Sequence, residues 1–576
     1  MFLLKRTTFA IEINSMKYPK TITNSIEEKM KKILMTLATV LCCAMTTSVF
    51  TSCVSDDETA AMTPDDQSKQ PAEATILWYG VGGGNVDAAI LDMFRQVYKA
   101  KPESFDHVNV IAQYKASQNP TAYNGHSYET IVSKIDPMAA SMTEEEIENL
   151  PNASYFMLCH PKPSATYRFA VDPKTTLRHQ LLETEPYGEM NCDITCPDSL
   201  TNFINWAAKN YPAKKYILVM ADHGGGYAPH KDLPETATSR GLVFDDGHNS
   251  KCFSAMSFAK AIHNASVRPE GIVLNLCLMN NLEFLYEVKD VTDYIACSTY
   301  IMNGTSGVLG TIPDNLAAGQ DTKTALGGFI DATVDSWDNE FYDKEGAPLY
   351  YDLTLTETCR LNDLAPVLKE FTGRLVDTYQ NGTEEQRTII DECTAHAVKV
   401  QNIYPFYDMA KYMESFFIAL PQVFDEAFKE RLKTAFNACI AKQRYSRYLT
   451  EHNYQVDYSM ILGTKGAYVT YSYDQIVSEN AKLLGATVFY PDGTTATYNY
   501  IGDENNSSEG NLGHYEFVSN GTWPSTFADT YQQTTFDRLV GWSRWLLINQ
   551  AAPPAWSPSS FQFQLPEDDM SDIPFL

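Results

Sequence analysis

Two stretches of this 576-residue chain carry residue types that could do chemistry together. In the first, the apolar run Tyr216-Ile217-Leu218-Val219-Met220-Ala221 passes into Asp222-His223-Gly224-Gly225-Gly226-Tyr227. In the second, Val273-Leu274-Asn275-Leu276 runs into Cys277-Leu278-Met279. Each reactive residue stands where a strand-like run gives way to a turn, and ligands of open α/β sheets bind beyond the carboxyl ends of strands. Histidine is a base near neutral pH and a thiolate is a nucleophile, so the two brought together could attack a carbonyl carbon. The glycines let the backbone approach a ligand and leave N–H groups free to donate. Leu278–Val288 reads as a helix, and a helix N-terminus beside Cys277 would favour its thiolate. Each residue also has a bland reading. Isolated histidines mostly sit in polar loops, and cysteines beside apolar strands are mostly inert.

The surrounding elements must position such a pair. Thr75–Tyr79 is a short apolar run ended by Gly80, and Ala88–Tyr98 has helical spacing. His107–Gln113 and Tyr155–Leu158 read as further strands, Leu200–Lys209 and Phe253–His263 as helices, and Gly271–Leu276 and Tyr294–Ser298 as strands. Strands alternating with helices predict an α/β fold with a mainly parallel β-sheet flanked by helices. Beyond Ala325 the pattern turns helical over Gly327–Trp337, Leu361–Tyr379, Glu384–Ala397, Met409–Ile418 and Val423–Arg444. Ala486–Tyr490 and Thr494–Tyr500, joined through Pro491-Asp492-Gly493, read as a hairpin. Phe536–Asn549 reads as a late amphipathic helix. The C-terminal region is therefore mixed, helical and then β-containing.

His223 precedes Cys277 by 54 residues, an order and separation comparable to those of the caspases. At these residues the chain resembles the clostripain-like cysteine peptidases, relatives of caspases, legumains and gingipains. Asp222–Tyr227 is similar to that family's Asp-His-Gly-x-Gly-aromatic motif. Cys277-Leu278-Met279, followed by Glu283 and Tyr286-Glu287-Val288, is similar to its cysteine motif. Tyr167-Arg168-Phe169 and Leu200–Trp206 resemble the family's preceding stretches. The resemblance covers Thr75 to Gly310 and implies a caspase-like fold and hydrolysis of a protein or peptide substrate by a Cys-His dyad. Cys277 would be the nucleophile and His223 the base, with the N–H groups of Gly224 and Cys277 as the oxyanion hole. No metal is required. The family is associated with calcium, which an acidic chain could bind, yet the sequence has no EF-hand loop.

One position departs from the family pattern. Two residues before the nucleophile the family carries an Asp that helps bind Arg or Lys in the primary specificity pocket, and here Asn275 stands instead. Charge-assisted hydrogen bonds are roughly twice as strong as neutral ones, so preference for Arg or Lys is in doubt. Asp222, Asp245 or Asp246 could supply the charge, or the pocket could take a neutral residue. Lys231 and Arg240, in the polar stretch Pro229–Ser250, are candidate self-cleavage points, although a plain surface loop reads as well.

Residues 1–29 read as an upstream extension and 30–52 as a signal peptide, with Met30-Lys31-Lys32 ahead of an apolar stretch too short to span a bilayer comfortably. Val49–Cys53 resembles a bacterial lipobox with Cys53 as the lipidated residue. Ser55-Asp56-Asp57-Glu58 resembles the acidic tag of Bacteroides-type lipoproteins bound for the cell surface. Residues 53–74 read as a tether, 75–325 as the peptidase domain and 326–576 as the C-terminal region. The expected location is the outer membrane, lipid-anchored and facing outward.

The net charge is −28, from 44 basic and 72 acidic residues. Residues 1–52 hold seven Lys/Arg and three Asp/Glu, so the remainder carries 37 against 69, or −32. That field repels phosphate backbones and argues against a nucleic-acid partner. Cys192 and Cys196 lack a second pair with zinc spacing and read as structural thiols or a local disulfide. Gly80-Val81-Gly82-Gly83-Gly84-Asn85 carries Asn where a dinucleotide fingerprint needs Gly. A competing reading is a surface lipoprotein that has lost activity and binds a protein or glycan through Trp523, Tyr531, Trp542 and Trp545.

Overall fold

The computed structural model describes residues 71–118 (save 85), 135–227, 241–248, 251–299, 302, 308–342, 351–395, 406–447 and 531–549, with short strands at 453–457, 468–472 and 487–489. Cys53, the leader, the expected tether as far as residue 70, Lys231, Arg240 and Trp523 lie outside the described residues, while at the tether's expected end Ala72 already bridges to Ala213 and Ala74 opens the first strand.

Eleven strands position the site: β1 (Ala74–Val81), β2 (Val108–Lys115), β3 (Thr166–Ala170), β4 (Tyr216–Ala221), β5 (Leu242–Asp245), β6 (Lys251–Phe253), β7 (Gly271–Asn275), β8 (Tyr294–Cys297), β9 (Asp352–Glu357), β10 (Phe406–Asp408) and β11 (Ile440–Tyr445). Eight of them form one sheet in the order β11-β9-β8-β7-β4-β1-β2-β3. The five from β8 to β2 run parallel, while β3, β9 and β11 pair antiparallel at the two margins. The expected mainly parallel α/β sheet, covered on both faces, is what forms. Parallel strands buried on both faces must be apolar throughout, and β1 and β4 are buried at every position.

Alternate residues feed two cores. Leu77, Tyr79, Leu218, Met220, Ile272 and Leu274 meet helices Pro197–Asn210, Ala255–His263 and Leu282–Val288. Ile76, Trp78, Ile217, Val219 and Val273 face helices Asp87–Arg95 and Thr322–Phe341. Each fully buried aliphatic side chain contributes about 1.5–3 kcal/mol relative to exposure, so sliding a strand by one residue would be prohibitive.

Three local expectations are corrected. Tyr155–Leu158 is the end of a helix, Asn152–Leu158, because a four-residue apolar run carries no period to separate strand from helix. The third strand of the sheet in chain order is Thr166–Ala170 instead. Helix Glu426–Cys439 stops before Arg444, and Ile440–Tyr445 joins the sheet edge against β9. There Lys442 and Arg444 pair with Asp331 on the neighbouring helix at 2.8 Å each. The late helix is two, Thr535–Val540 and Trp542–Asn549, divided at Gly541 with φ +74°.

Thr487–Phe489, within the first arm of the expected hairpin, pairs with β10, and the second arm lies outside the described residues. The division expected at 325/326 falls inside helix Thr322–Phe341, and β9 and β11 extend the same sheet beyond it.

Candidate active site

Register brings the two reactive residues together. In the parallel pairing of β4 with β7, Ala221 lies opposite Asn275. Both strands end at that pair, and two residues further along each chain stand His223 and Cys277, so the sequence separation of 54 equals the ladder offset. Both residues are half-buried. Gly224, next to His223, packs against the Cys277 backbone. A Cβ added there would lie 2.1 Å from the Cys277 carbonyl oxygen, 2.7 Å from its nitrogen and 2.9 Å from the Leu276 Cβ. The His223 carbonyl accepts Val243 N–H at 3.1 Å and Gly225 N–H donates to Gly241 O at 2.9 Å, fastening the histidine loop to the β5–β6 hairpin.

The expected helix at Cys277 does not start there. Leu278 has φ +63°, a left-handed conformation uncommon for a non-glycine, and the helix begins at Leu282. Asn281 caps that helix by accepting Phe284 N–H at 3.0 Å, while its amide donates to Leu278 O at 3.1 Å. Asn280 ties the turn to β8. Its N–H donates to Ser298 O at 2.9 Å and its amide to Thr299 Oγ1 at 2.9 Å. Buried Asp352 then accepts Thr299 N–H at 2.7 Å and the hydroxyls of Ser298 and Thr299 at 2.9 Å each. The turn is thus set by asparagines and a buried carboxylate. The thiol gains no helix terminus.

Burial pushes the Cys277 thiol up to about 11. The N–H groups of Met302 (3.3 Å from Sγ), Gly224 and Cys277 itself oppose that shift, and the charge of Asp222 adds to it. Burial pushes His223 down to about 4. At neutral pH the two side chains therefore rest as a thiol and a neutral imidazole. The two N–H groups expected to hold an oxyanion both bear on the sulfur.

The carboxylates that could replace the missing charge are variously engaged. Asp222 accepts Phe244 N–H, and burial holds its carboxyl well above the usual range. Asp245 is fully buried and accepts Lys115 Nζ on both oxygens at 2.6 Å. Asp246 accepts Gln118 N–H at 3.0 and 2.9 Å. Asn275 is 3% exposed, and neither its amide nitrogen nor its oxygen has a hydrogen-bond partner among the described residues. Asp193, Asp245 and His248 stand close enough to share a cation, yet Lys115 is on Asp245 and Lys251 on Asp193 at 2.7 Å. A metal there would have to displace a buried ion pair whose disruption costs about 3–5 kcal/mol. Cys192 and Cys196 are free thiols.

The sequence motifs missed the loop after β1. Gly83, at φ +55°, lies where a Cβ would approach Asp222 Oδ1 to 2.1 Å and His223 Cδ2 to 2.9 Å. Gly84 N–H donates to Ser117 Oγ at 2.9 Å, and Asp87 accepts Ser117 N–H at 3.1 Å. The glycines that fail as a nucleotide loop let this backbone pass against the histidine loop. Met302 was also missed, since its contribution is a backbone N–H that no side chain advertises.

With the geometry in place, the chain can be set beside known proteins. The family model for peptidase C11, the clostripain family, matches residues 178–534, more than half of the chain. Clostripain from Hathewaya histolytica is 22% identical over 277 residues, covering 46% of either chain. This chain thus spans about half the length of that curated relative. Among solved structures, a secreted C11 cysteine protease from Bacteroides thetaiotaomicron with an irreversible peptide inhibitor superposes with a TM-score of 0.48 at 13% identity, covering 82% of this chain and 99% of that one. An inactive zymogen C11 protease from Parabacteroides distasonis gives 0.43 at 13%, with the same coverages.

A neutral resting pair has a direct signature. Alkylation of Cys277 by iodoacetamide, followed on its own peptide by mass spectrometry, should accelerate about tenfold per pH unit from pH 7 to 10, because thiolate is the reactive form. A rate already level above pH 6 would mean a preformed thiolate–imidazolium pair and would refute this description.

Proposed function

The chain belongs to the clostripain family, and we propose that it is a cysteine endopeptidase working through Cys277 and His223. The observation that carries this reading is the β4–β7 register, which sets the two residues at adjacent strand ends with the N–H groups of Gly224 and Cys277 on the sulfur. As Cys277 Sγ attacks the scissile carbonyl, neutral His223 takes its proton. The N–H groups of Gly224 and Cys277 hold the carbonyl oxygen as it becomes an oxyanion, a role in which one donor is worth about 10²–10³ in rate. His223 returns the proton to the leaving amine. Water, deprotonated by the same imidazole, then hydrolyses the thioester.

The specificity pocket follows from Asn275. A buried amide with both groups unengaged among the described residues presents a donor nitrogen, an acceptor oxygen and no charge. An Arg or Lys side chain there would lack a carboxylate partner from this position, so uncharged residues compete well with basic ones at the cleavage site. The competing reading as a binding protein finds less support, since Tyr531, Trp542 and Trp545 are fully buried. Export and lipid attachment at Cys53 are the remaining part of the proposal. Among the described residues no helix is long and apolar enough to cross a membrane.

Wild-type protein should cleave peptide substrates and be labelled at Cys277 by acyloxymethyl-ketone probes, and Cys277→Ala should do neither. Absence of both in the wild type would defeat the peptidase reading. Asn275→Asp should raise labelling by an Arg or Lys probe relative to an uncharged one by about tenfold, the equivalent of ~1.4 kcal/mol of added charge-assisted bonding. An unchanged ratio would remove Asn275 from the pocket. Cys53→Ala should move the protein from the membrane pellet to the soluble fraction, and retention in the pellet would discard the lipid anchor.

A further inference from the structure

Behind the sulfur and the imidazole, the C-terminal segment touches both catalytic loops at once. Tyr531 is fully buried. Its hydroxyl donates to Glu283 Oε1 at 2.8 Å, and its ring meets the Tyr227 ring edge-on with centroids 5.8 Å apart. Tyr227 belongs to the histidine loop, four residues past His223. Glu283 belongs to the helix after the nucleophile, six residues past Cys277. The attachment continues along helix Thr535–Val540. Thr535 donates to Glu287 through its N–H at 2.6 Å and its hydroxyl at 3.1 Å, and the Phe536 ring lies 5.4 Å from that of Tyr286. Trp545 then anchors the segment by donating from Nε1 to the Tyr412 hydroxyl at 2.9 Å. Glu283, Tyr286 and Glu287 all dock one short stretch of chain some 250 residues away.

We propose that Tyr531 is a positioning residue that clamps the loop bearing the base to the helix behind the nucleophile. The β4–β7 ladder fixes its strands only as far as Ala221 and Asn275. Beyond that pair the relative placement of His223 and Cys277 depends on contacts between loops. Tyr531 supplies one with defined geometry: a ring with few rotamers, held by a directional bond to a fully buried carboxyl. The family match runs to residue 534, so it includes Tyr531. The kinetic consequence rests on the peptidase reading above, whereas the clamp itself does not.

Tyr531→Phe keeps the ring on Tyr227 and deletes the bond to Glu283. Turnover per titrated active site should fall about tenfold with KM unchanged, the scale expected when reacting groups are slightly misplaced. The pH profile of Cys277 alkylation should shift relative to wild type in the same variant. Unchanged kcat per titrated site together with an unchanged alkylation profile would overturn the proposal, even if the melting temperature falls. A wild type without turnover would sink the peptidase reading, and the alkylation profiles alone would then decide Tyr531. Should Tyr531→Phe fail to fold, Thr535→Ala loosens the same segment at Glu287. A wild-type alkylation profile there would equally overturn the clamp.

Discussion

Everything at this site depends on the in-register parallel pairing of β4 with β7. The pairing is enforced from both faces of the sheet, because Leu218 and Met220 enter one core while Ile217 and Val219 enter the other. A slip of one residue would exchange these sets and carry Asp222 into the sheet. Fixed in this way, the strands deliver His223 and Cys277 from matching ends, and the remaining question is how closely the loops can approach. Gly224 answers it, since any side chain would collide with the Cys277 backbone.

Close approach has an electrostatic consequence. The same burial that brings the groups together disfavours both charged forms, raising the thiol and lowering the imidazole. In the proposed mechanism, a resting neutral pair keeps the imidazole free to accept a proton at the moment of attack. The N–H groups around the sulfur act as fixed dipoles in a poorly solvated place, where they need little reorganisation as negative charge moves from sulfur to the substrate oxygen. The donors fail to make a resting thiolate because desolvation outweighs them.

How much of this was legible depended on how local each cause was. The central strands were readable because burial on both faces demands unbroken apolar runs, as in Tyr216–Met220. That His223 and Cys277 follow adjacent strand ends was readable because apolar runs lead into both. The failures share one origin. Tyr155–Leu158 and Ile440–Tyr445 take their conformation from the partners they pack against, which their own spacing does not encode. Leu278 turns left-handed because Asn280 and Asn281 are held by β8 and by the following helix. The glycines after β1 read as a defective nucleotide loop until Asp222 and His223 are found against Gly83. Tyr531 could not have been assigned at all, because its partners lie some 250 residues away and its aromatic character is equally that of a core residue.

The chain's net charge of −28 gives little guide to the field at the reactive sulfur. Around the two loops, carboxyl groups serve as structural acceptors: Asp87 for Ser117, Asp222 for Phe244, Asp352 for Thr299. Burial raises Asp87 and holds Asp222 well above its ordinary value, and Asp245 is matched by Lys115. A carboxyl engaged in this way orders the backbone around the two loops. Asn275 adds a neutral, buried amide beside these groups. Selectivity at such a site is decided by hydrogen bonding over a few ångströms, and the acidic surface acts only on the approach of a substrate from solution.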